Sequence, residues 1–81
     1  MIMSNLFGKR LAEVRLSKVK ANGRPMSHMD CSQLFKVHIS SYSNWEAGRF
    51  LPDARSMELI ESLWPEVFTK ASKVDINIQT V

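Results

Sequence analysis

Apolar residues recur every three or four positions along most of the chain, which is the spacing of one face of an α-helix. Five such clusters predict five helices, and their apolar positions are Phe7, Leu11 and Val14; Cys31, Leu34 and Phe35; Tyr42 and Trp45; Met57, Ile60, Leu63 and Trp64; and Val67 and Phe68. Residues that end or begin helices separate the clusters, namely Asn22-Gly23, Ala47-Gly48 and Leu51-Pro52-Asp53. The pattern predicts an all-α domain.

Two serines stand at predicted helix starts. We expect Ser4 to cap the first helix, because a serine hydroxyl accepts hydrogen bonds from the free N–H groups there. Ser27 precedes the second helix, and Asp30 three residues later makes a variant of the capping box. The third helix is expected from about Ile39 to Glu46.

The last eight residues follow a different pattern. Apolar and polar residues alternate there, which is typical of a β-strand with Val74, Ile76 and Ile78 on one face. We therefore predict a helical domain over residues 1–73 and a strand-like tail over residues 74–81.

The tail is predicted to dimerise the protein. No second strand pattern exists in the chain to pair with it, so the same strand of a second copy is the expected partner. A frayed terminus is the alternative. The fifth helix, through Val67 and Phe68, is a second route to the same dimer.

Composition limits the class of protein. The 81 residues suit one small domain, and 44% hydrophobic with 23% charged residues is a globular composition. No run of apolar residues is long enough for a transmembrane helix, and no signal-peptide pattern is present. Cys31 is the only cysteine, which excludes an intrachain disulfide and favours a reducing cytoplasm.

Charge is unevenly distributed along the chain. Residues 1–36 hold seven basic and two acidic side chains, whereas residues 37–81 hold four basic and six acidic ones. The first part therefore carries +5 and the second −2. This polarity suits a polyanion bound on one face of the domain.

The segment from Met26 to Pro52 fits a helix-turn-helix, because two short helices are separated by a tight turn. A helix that enters the major groove of DNA needs slim, polar outward positions. The third helix has them, at Ser40, Ser41, Ser43 and Asn44. A capped surface helix with tolerated serines is the alternative interpretation.

These residues resemble a known family. Met26-Ser27-His28 through Trp45-Glu46-Ala47-Gly48-Arg49 and Pro52 is similar to the helix-turn-helix of lambda-repressor-like proteins of the Cro/C1 or XRE family, and the resemblance covers about residues 6–64. Its most specific part is the Trp45 to Pro52 segment. The chain departs from the family where His28 replaces a usual glutamine, Lys36 replaces the turn glycine and His38 replaces a Ser or Thr cap.

The resemblance implies a role for individual residues. Base-contacting positions are Ile39, Ser40, Ser43 and Asn44. Some phosphate contacts are implied by the resemblance and others by the charge distribution. Together they are His28, Lys9, Arg10, Lys36, Ser41 and Arg49. Arg15 and Glu46 match a partly buried salt bridge between the first and third helices.

The resemblance implies a transcriptional regulator, a repressor of phage, mobile-element or toxin–antitoxin type, that acts in the bacterial cytoplasm. Its expected partners are double-stranded DNA with a palindromic operator and a second copy of the chain. No cofactor, metal or membrane is expected.

Two other classes remain as alternatives. The first is a protein-interaction module that uses the same fold to bind or inhibit another protein. An enzyme is the weaker one, because the chain shows no Gly-rich phosphate loop and is too short for a large pocket. A metal site is a further weak alternative, since His28, Cys31 and His38 are nearly all the soft ligands present and a structural zinc needs four, and a Ser/His/acid hydrolase is weaker than the metal site.

Overall fold

The computed structural model describes residues 2–68, with side chains from residue 6 onward. It contains four helices, α1 (Ile2–Ser17), α2 (His28–Leu34), α3 (Ile39–Ala47) and α4 (Ala54–Leu63), and residue 66 begins a fifth helical segment. The described residues hold no strand, and the all-α prediction is confirmed at this level. None of the helices within residues 2–68 has the length and apolar character needed to cross a membrane. The predicted dimer strand, with Val74, Ile76 and Ile78, lies outside the described residues, as does the predicted boundary at residue 73.

The core lies where the apolar faces of the helices meet. Its buried side chains are Leu11, Val14, Cys31, Phe35, Tyr42, Trp45, Ile60, Trp64 and Val67. The ring of Phe35 is stacked on Tyr42 with centroids 6.2 Å apart, and it meets Trp64 edge-on at 5.0 Å. Aromatic pairs of this geometry stabilise a core beyond the area that they bury. One aromatic centre therefore joins α2, α3 and the end of α4.

α1 begins earlier than the sequence predicts. The helix includes Ser4, so the prediction that this residue caps it is wrong. Leu11 and Val14 are buried as their spacing predicts. At the other end, the Lys18 ammonium pairs with the Glu66 carboxylate, which ties the end of α1 to the fifth helical segment.

Two predictions about the C-terminal part of the domain are wrong. The inward stripe runs through Ile60, Trp64 and Val67, so Leu63 falls beside it and is 42% exposed. Val67, expected at a dimer interface, is 1% exposed within a single copy and belongs to the core. Phe68 is half-buried against the domain's own Phe7, with ring centroids 6.0 Å apart. The fifth segment therefore packs inward.

A capping box starts α2, as the sequence predicts. Ser27 Oγ accepts from the Asp30 amide at 3.1 Å, and Asp30 Oδ2 accepts from the Ser27 amide at 2.9 Å. Lys20 Nζ lies 2.8 Å from the same Asp30 oxygen. The Lys20 ammonium, with the two Ser27 donors, lowers the pKa of Asp30 to about 2. The carboxylate is thus kept charged at the positive end of the helix.

The turn between α2 and α3 contains a residue in the left-handed region. Lys36 has φ 60°, at the position where the family that the sequence resembles has glycine. The Val37 amide donates to the Ser32 carbonyl at 2.9 Å, which closes the turn. His38 then caps α3, because its Nδ1 accepts from the Ser40 amide at 3.2 Å. The turn is as tight as a helix-turn-helix requires, without the glycine.

Candidate nucleic-acid interface

α3 has two unlike sides. Tyr42 and Trp45 are buried against the other helices. The side chains that the sequence assigns to DNA are exposed or half-buried: Ile39, Ser40, Ser41, Ser43 and Asn44. Apart from Ile39 they are polar and short, so they would not keep the helix from entering a groove about 12 Å wide.

α3 ends abruptly at a left-handed glycine. Gly48 has φ 80°, and its amide and that of Arg49 donate back to the carbonyls of Trp45 and Asn44. This is the pattern of a Schellman-type helix end, which satisfies carbonyls that would otherwise lack partners. The chain then turns away, so Arg49 stands beside the C-terminal end of α3.

A salt bridge holds the C-terminal end of α3 to α1. Arg15 Nε donates to Glu46 Oε2 at 2.7 Å, and Arg15 Nη2 donates to Glu46 Oε1 at 3.2 Å. The remaining guanidinium nitrogen, Nη1, donates to the Met26 carbonyl at 2.9 Å. The two residues that the resemblance pairs are thus in bidentate contact, and Arg15 also reaches the chain just before α2.

The Glu46 carboxylate has two further donors. The Tyr42 hydroxyl donates to Oε2 at 2.6 Å, and His28 Nε2 lies 3.0 Å from Oε1. Burial opposes ionisation of Glu46, but the hydrogen bonds from Arg15 and Tyr42 outweigh it and lower its pKa. Burial raises the pKa of Tyr42, so its hydroxyl keeps the proton that it donates. One ionised carboxylate therefore gathers side chains from α1, α2 and α3.

His28 is engaged within the domain. Its Nδ1 lies 3.0 Å from Ser43 Oγ, its Nε2 binds Glu46, and its ring meets Tyr42 edge-on with centroids 5.6 Å apart. Both ring nitrogens therefore have partners, and neither is left for the phosphate contact that the resemblance implies. In this arrangement His28 joins the start of α2 to the outward side of α3.

Asn44 and Arg49 form an exposed pair at the end of α3. Arg49 Nη1 donates to Asn44 Oδ1 at 3.1 Å. Within the described part of the chain, the side-chain amide nitrogen of Asn44 and the other guanidinium donors of Arg49 have no hydrogen-bonding partner. The pair therefore presents several free N–H donors beside α3, which suits acceptors on base edges and phosphates.

Of the predicted phosphate contacts on or near α1 and α2, Arg10 and Lys36 line grooves beside α4. Lys9 is exposed on α1. Arg10 lines an apolar groove with Leu51 and residues of α1, α4 and the fifth segment. Lys36 lines a second groove beside α4, together with Arg55. The structure thus brings His28 and Arg49 next to α3 but turns Arg10 and Lys36 toward α4.

Internal ion pairs use part of the positive charge. Three of the basic residues in the first part of the chain bind acids of the domain, namely Arg15 with Glu46, Lys18 with Glu66 and Lys20 with Asp30. Of the predicted phosphate contacts, Lys36 and Arg49 take part in none of the ion pairs described over residues 6–68. Both cations remain available to a polyanion.

The sequence offers His28 and Cys31 as a possible pair of metal ligands. In the structure His28 binds Ser43 and Glu46, whereas Cys31 is fully buried. Burial raises the pKa of Cys31 to about 11, so the thiol keeps its proton. Between residues 2 and 68, no group of three or more His, Cys, Asp and Glu side chains is placed to hold an ion.

Two members of the Glu46 cluster, Tyr42 and His28, were not predicted from the sequence. Tyr42 appeared only as a core residue, although a tyrosine four residues before a glutamate faces it on a helix. His28 appeared only as a phosphate contact, and nothing in its spacing from Ser43 or Glu46 indicates the inward orientation.

No family model, curated protein or solved structure matches the chain.

Proposed function

We propose that this domain binds double-stranded DNA sequence-specifically through α3 and acts as a transcriptional regulator. The observation that carries the proposal is the combination of two features of α3. Apart from Ile39, its outward side chains are short and polar, and its C-terminal end is fixed to α1 and α2 through Glu46. A rigidly held helix with slim polar positions is what base-edge recognition in the major groove requires.

Within this proposal the regulator is a repressor of phage, mobile-element or toxin–antitoxin type that binds a palindromic operator as a homodimer. One helix of nine residues reads too few base pairs to select a site alone. Two copies related by a two-fold axis would read two half-sites about 34 Å apart.

Random-site selection with the full chain tests the proposal. Enrichment of a two-fold-symmetric motif, with affinity that falls steeply as salt rises, is the expected result. Recovery of DNA without any common motif, at the affinity of bulk duplex, would reject sequence-specific recognition.

We expect Asn44→Ala to weaken binding to the selected site by about 1–3 kcal/mol and to change binding to random DNA much less. The reason is that Asn44 offers free amide hydrogens at the outward end of α3. Competition titrations with selected and random duplexes measure the two losses separately. Equal losses on both would remove Asn44 from the base-reading residues.

Arg49→Ala is expected to weaken binding to every duplex alike and to reduce the slope of log affinity against log salt by about one. Arg49 is exposed beside α3 and keeps donors free after its bond to Asn44. Titration at several salt concentrations measures the slope. Arg24→Ala, which removes an exposed cation from the α1–α2 connection, is the matched control.

Truncation after Lys73 tests the proposed dimer strand. Because Val67 is part of the core, it is not free to form a dimer contact, and we expect residues 74–81 to form most of that contact. We expect the truncated chain to sediment as a monomer and to bind the selected palindrome with the affinity of one half-site. A truncated chain that still sediments as a dimer would exclude the strand as the contact.

A protein-interaction module is the second candidate, and one observation favours it. A groove of about 240 Å³ is lined by Phe7, Leu51 and Met57 among others, and none of its lining residues belongs to α3. Leu6 and Leu51 along it are 45% and 47% exposed, and the neighbouring Phe50 is 61% exposed. Such apolar exposure is typical of a surface that another protein covers.

A further inference from the structure

Ser43, His28 and Glu46 form a continuous hydrogen-bonded chain from the buried side of α3 to its outward side. Ser43 Oγ lies 3.0 Å from His28 Nδ1, and His28 Nε2 lies 3.0 Å from Glu46 Oε1. Glu46 has a side-chain exposure of 9%, whereas His28 is exposed at 38%. The inner end of the chain is therefore fixed by the fold, and the outer end is a hydroxyl at a proposed base-contacting position.

The positions of the protons along this chain follow from the partners. Glu46 is ionised and binds Arg15 and Tyr42, so it can only accept hydrogen bonds. His28 Nε2 must therefore carry a hydrogen. In neutral His28 the other nitrogen, Nδ1, then has a lone pair and can only accept. Ser43 must accordingly donate its own hydroxyl hydrogen inward to Nδ1.

That inward bond determines what Ser43 can offer to DNA. With its hydrogen used, Oγ has only lone pairs left and acts as an acceptor. If His28 takes up a second proton, Nδ1–H donates to Oγ instead, and the hydroxyl hydrogen of Ser43 is free to point outward. The same side chain then acts as a donor.

We infer that His28 sets the hydrogen-bonding polarity of Ser43, so that the protonation state of His28 selects the bases that α3 accepts at that position. The inference rests on the proposed function and deepens it. His28 acts here as a positioning residue, because it does not touch DNA itself.

The bases that Ser43 should prefer follow from the hydrogen-bonding groups that each base presents in the major groove. In the major groove cytosine presents only an amino group, guanine and thymine present only acceptor atoms, and adenine presents both an amino group and the N7 acceptor. With neutral His28, Ser43 is an acceptor and should favour adenine or cytosine. With protonated His28 it should disfavour cytosine and favour guanine or thymine, with about a fivefold to tenfold change in the affinity of these bases relative to cytosine, the size of one net hydrogen bond.

Few charged or titratable groups face His28. From α3 these are the Glu46 carboxylate and the Tyr42 ring, and Arg15 from α1 binds the far side of the same carboxylate. On its own helix, Asp30 is already paired with Lys20. Protonation of His28 therefore changes its Ser43 bond while the Glu46 contact is retained.

The test is random-site selection with the full chain at about pH 8 and about pH 5.5, with ring-nitrogen NMR of His28 at both values to show which of its nitrogens carry hydrogen. One position of each half-site should accept adenine or cytosine while His28 is neutral, and should lose cytosine in favour of guanine or thymine once His28 is protonated. His28→Gln is the matched variant, because its amide nitrogen can donate to Glu46 and its oxygen can accept from Ser43 at either pH. It should keep the amino-bearing bases in both selections, and Ser43→Ala should lose the preference in both.

Failure of the inference is distinct from failure of the proposed function. A selected motif that is the same at both pH values, or one that changes equally in His28→Gln, would overturn the inference and leave DNA binding in place. Absence of any motif would reject the proposed function and the base preference with it. Ring-nitrogen NMR of His28 without DNA then still tests the proton chain: hydrogen on Nε2 at about pH 8 is expected, and hydrogen on Nδ1 would contradict it.

Discussion

Glu46→Ala should destabilise the domain by about 3–5 kcal/mol, a large share of the stability of a domain this small. The substitution leaves the Arg15 guanidinium, with a side-chain exposure of 14%, without its carboxylate. It also removes the acceptor for the Tyr42 hydroxyl and a partner of His28. Breaking one side of a buried pair costs more than the pair contributes, because the remaining charge is left uncompensated.

Chemical denaturation measures this loss, and a double-mutant cycle with Arg15→Ala assigns it. The two single changes should be strongly non-additive, because each removes the same contact. Additive losses would mean that the pair does not contribute. The pKa of Glu46 is lowered in the folded domain, so its stabilisation is present above the ordinary value of 4.5 and is lost as the pH falls through the lower folded value. The Ala variant should lack this acid-dependent part.

Gly8→Ala should destabilise the domain by about 2–3 kcal/mol, although alanine is the better helix former. A Cβ at Gly8 would lie 2.5 Å from the Glu46 carbonyl oxygen and 2.6 Å from that of Trp45. Both atoms belong to the backbone of α3, so a side-chain rotation cannot relieve the clash. α1 and α3 would have to separate, which would also stretch the Arg15 contact to Glu46.

Thermal unfolding measures the effect, and Lys9→Ala is the matched control. Lys9 is the next residue of α1 and is exposed, so its replacement tests the helix propensity of alanine without the close approach. The control should stay within about 0.5 kcal/mol of the wild type. A Gly8→Ala variant as stable as the wild type would show that the two helices can separate at no cost.

The start of α2 and the end of α3 were predictable from the sequence because they depend on a few adjacent residues, whereas α1 begins before its predicted cap, Ser4. Ser27 and Asp30 form their capping box within one turn, and Gly48 ends α3 through its own backbone conformation. The turn at Lys36 shows the limit of such signals, since a residue other than glycine occupies the left-handed position. The left-handed backbone conformation favours glycine at this position, and the packing of α2 on α3 overrides that preference.

Contacts between helices were only partly predictable. The Arg15–Glu46 pair followed from resemblance rather than from spacing, because the residues are 31 positions apart. The inward orientation of His28 depends on the distance between α2 and α3, which no periodicity encodes. Val67 was misplaced for a similar reason: an apolar residue near the chain end fits a core and an interface equally well.

Amide NMR of the full chain, titrated with the duplex recovered by selection, tests the central claim that α3 reads the DNA. We expect the largest shift changes to fall on residues 39–49 and on the start of α2 at His28, and to saturate at one two-fold site per dimer. Changes concentrated on Leu6, Phe50 and Leu51, with α3 unaffected, would contradict it and would assign the apolar groove as the binding surface.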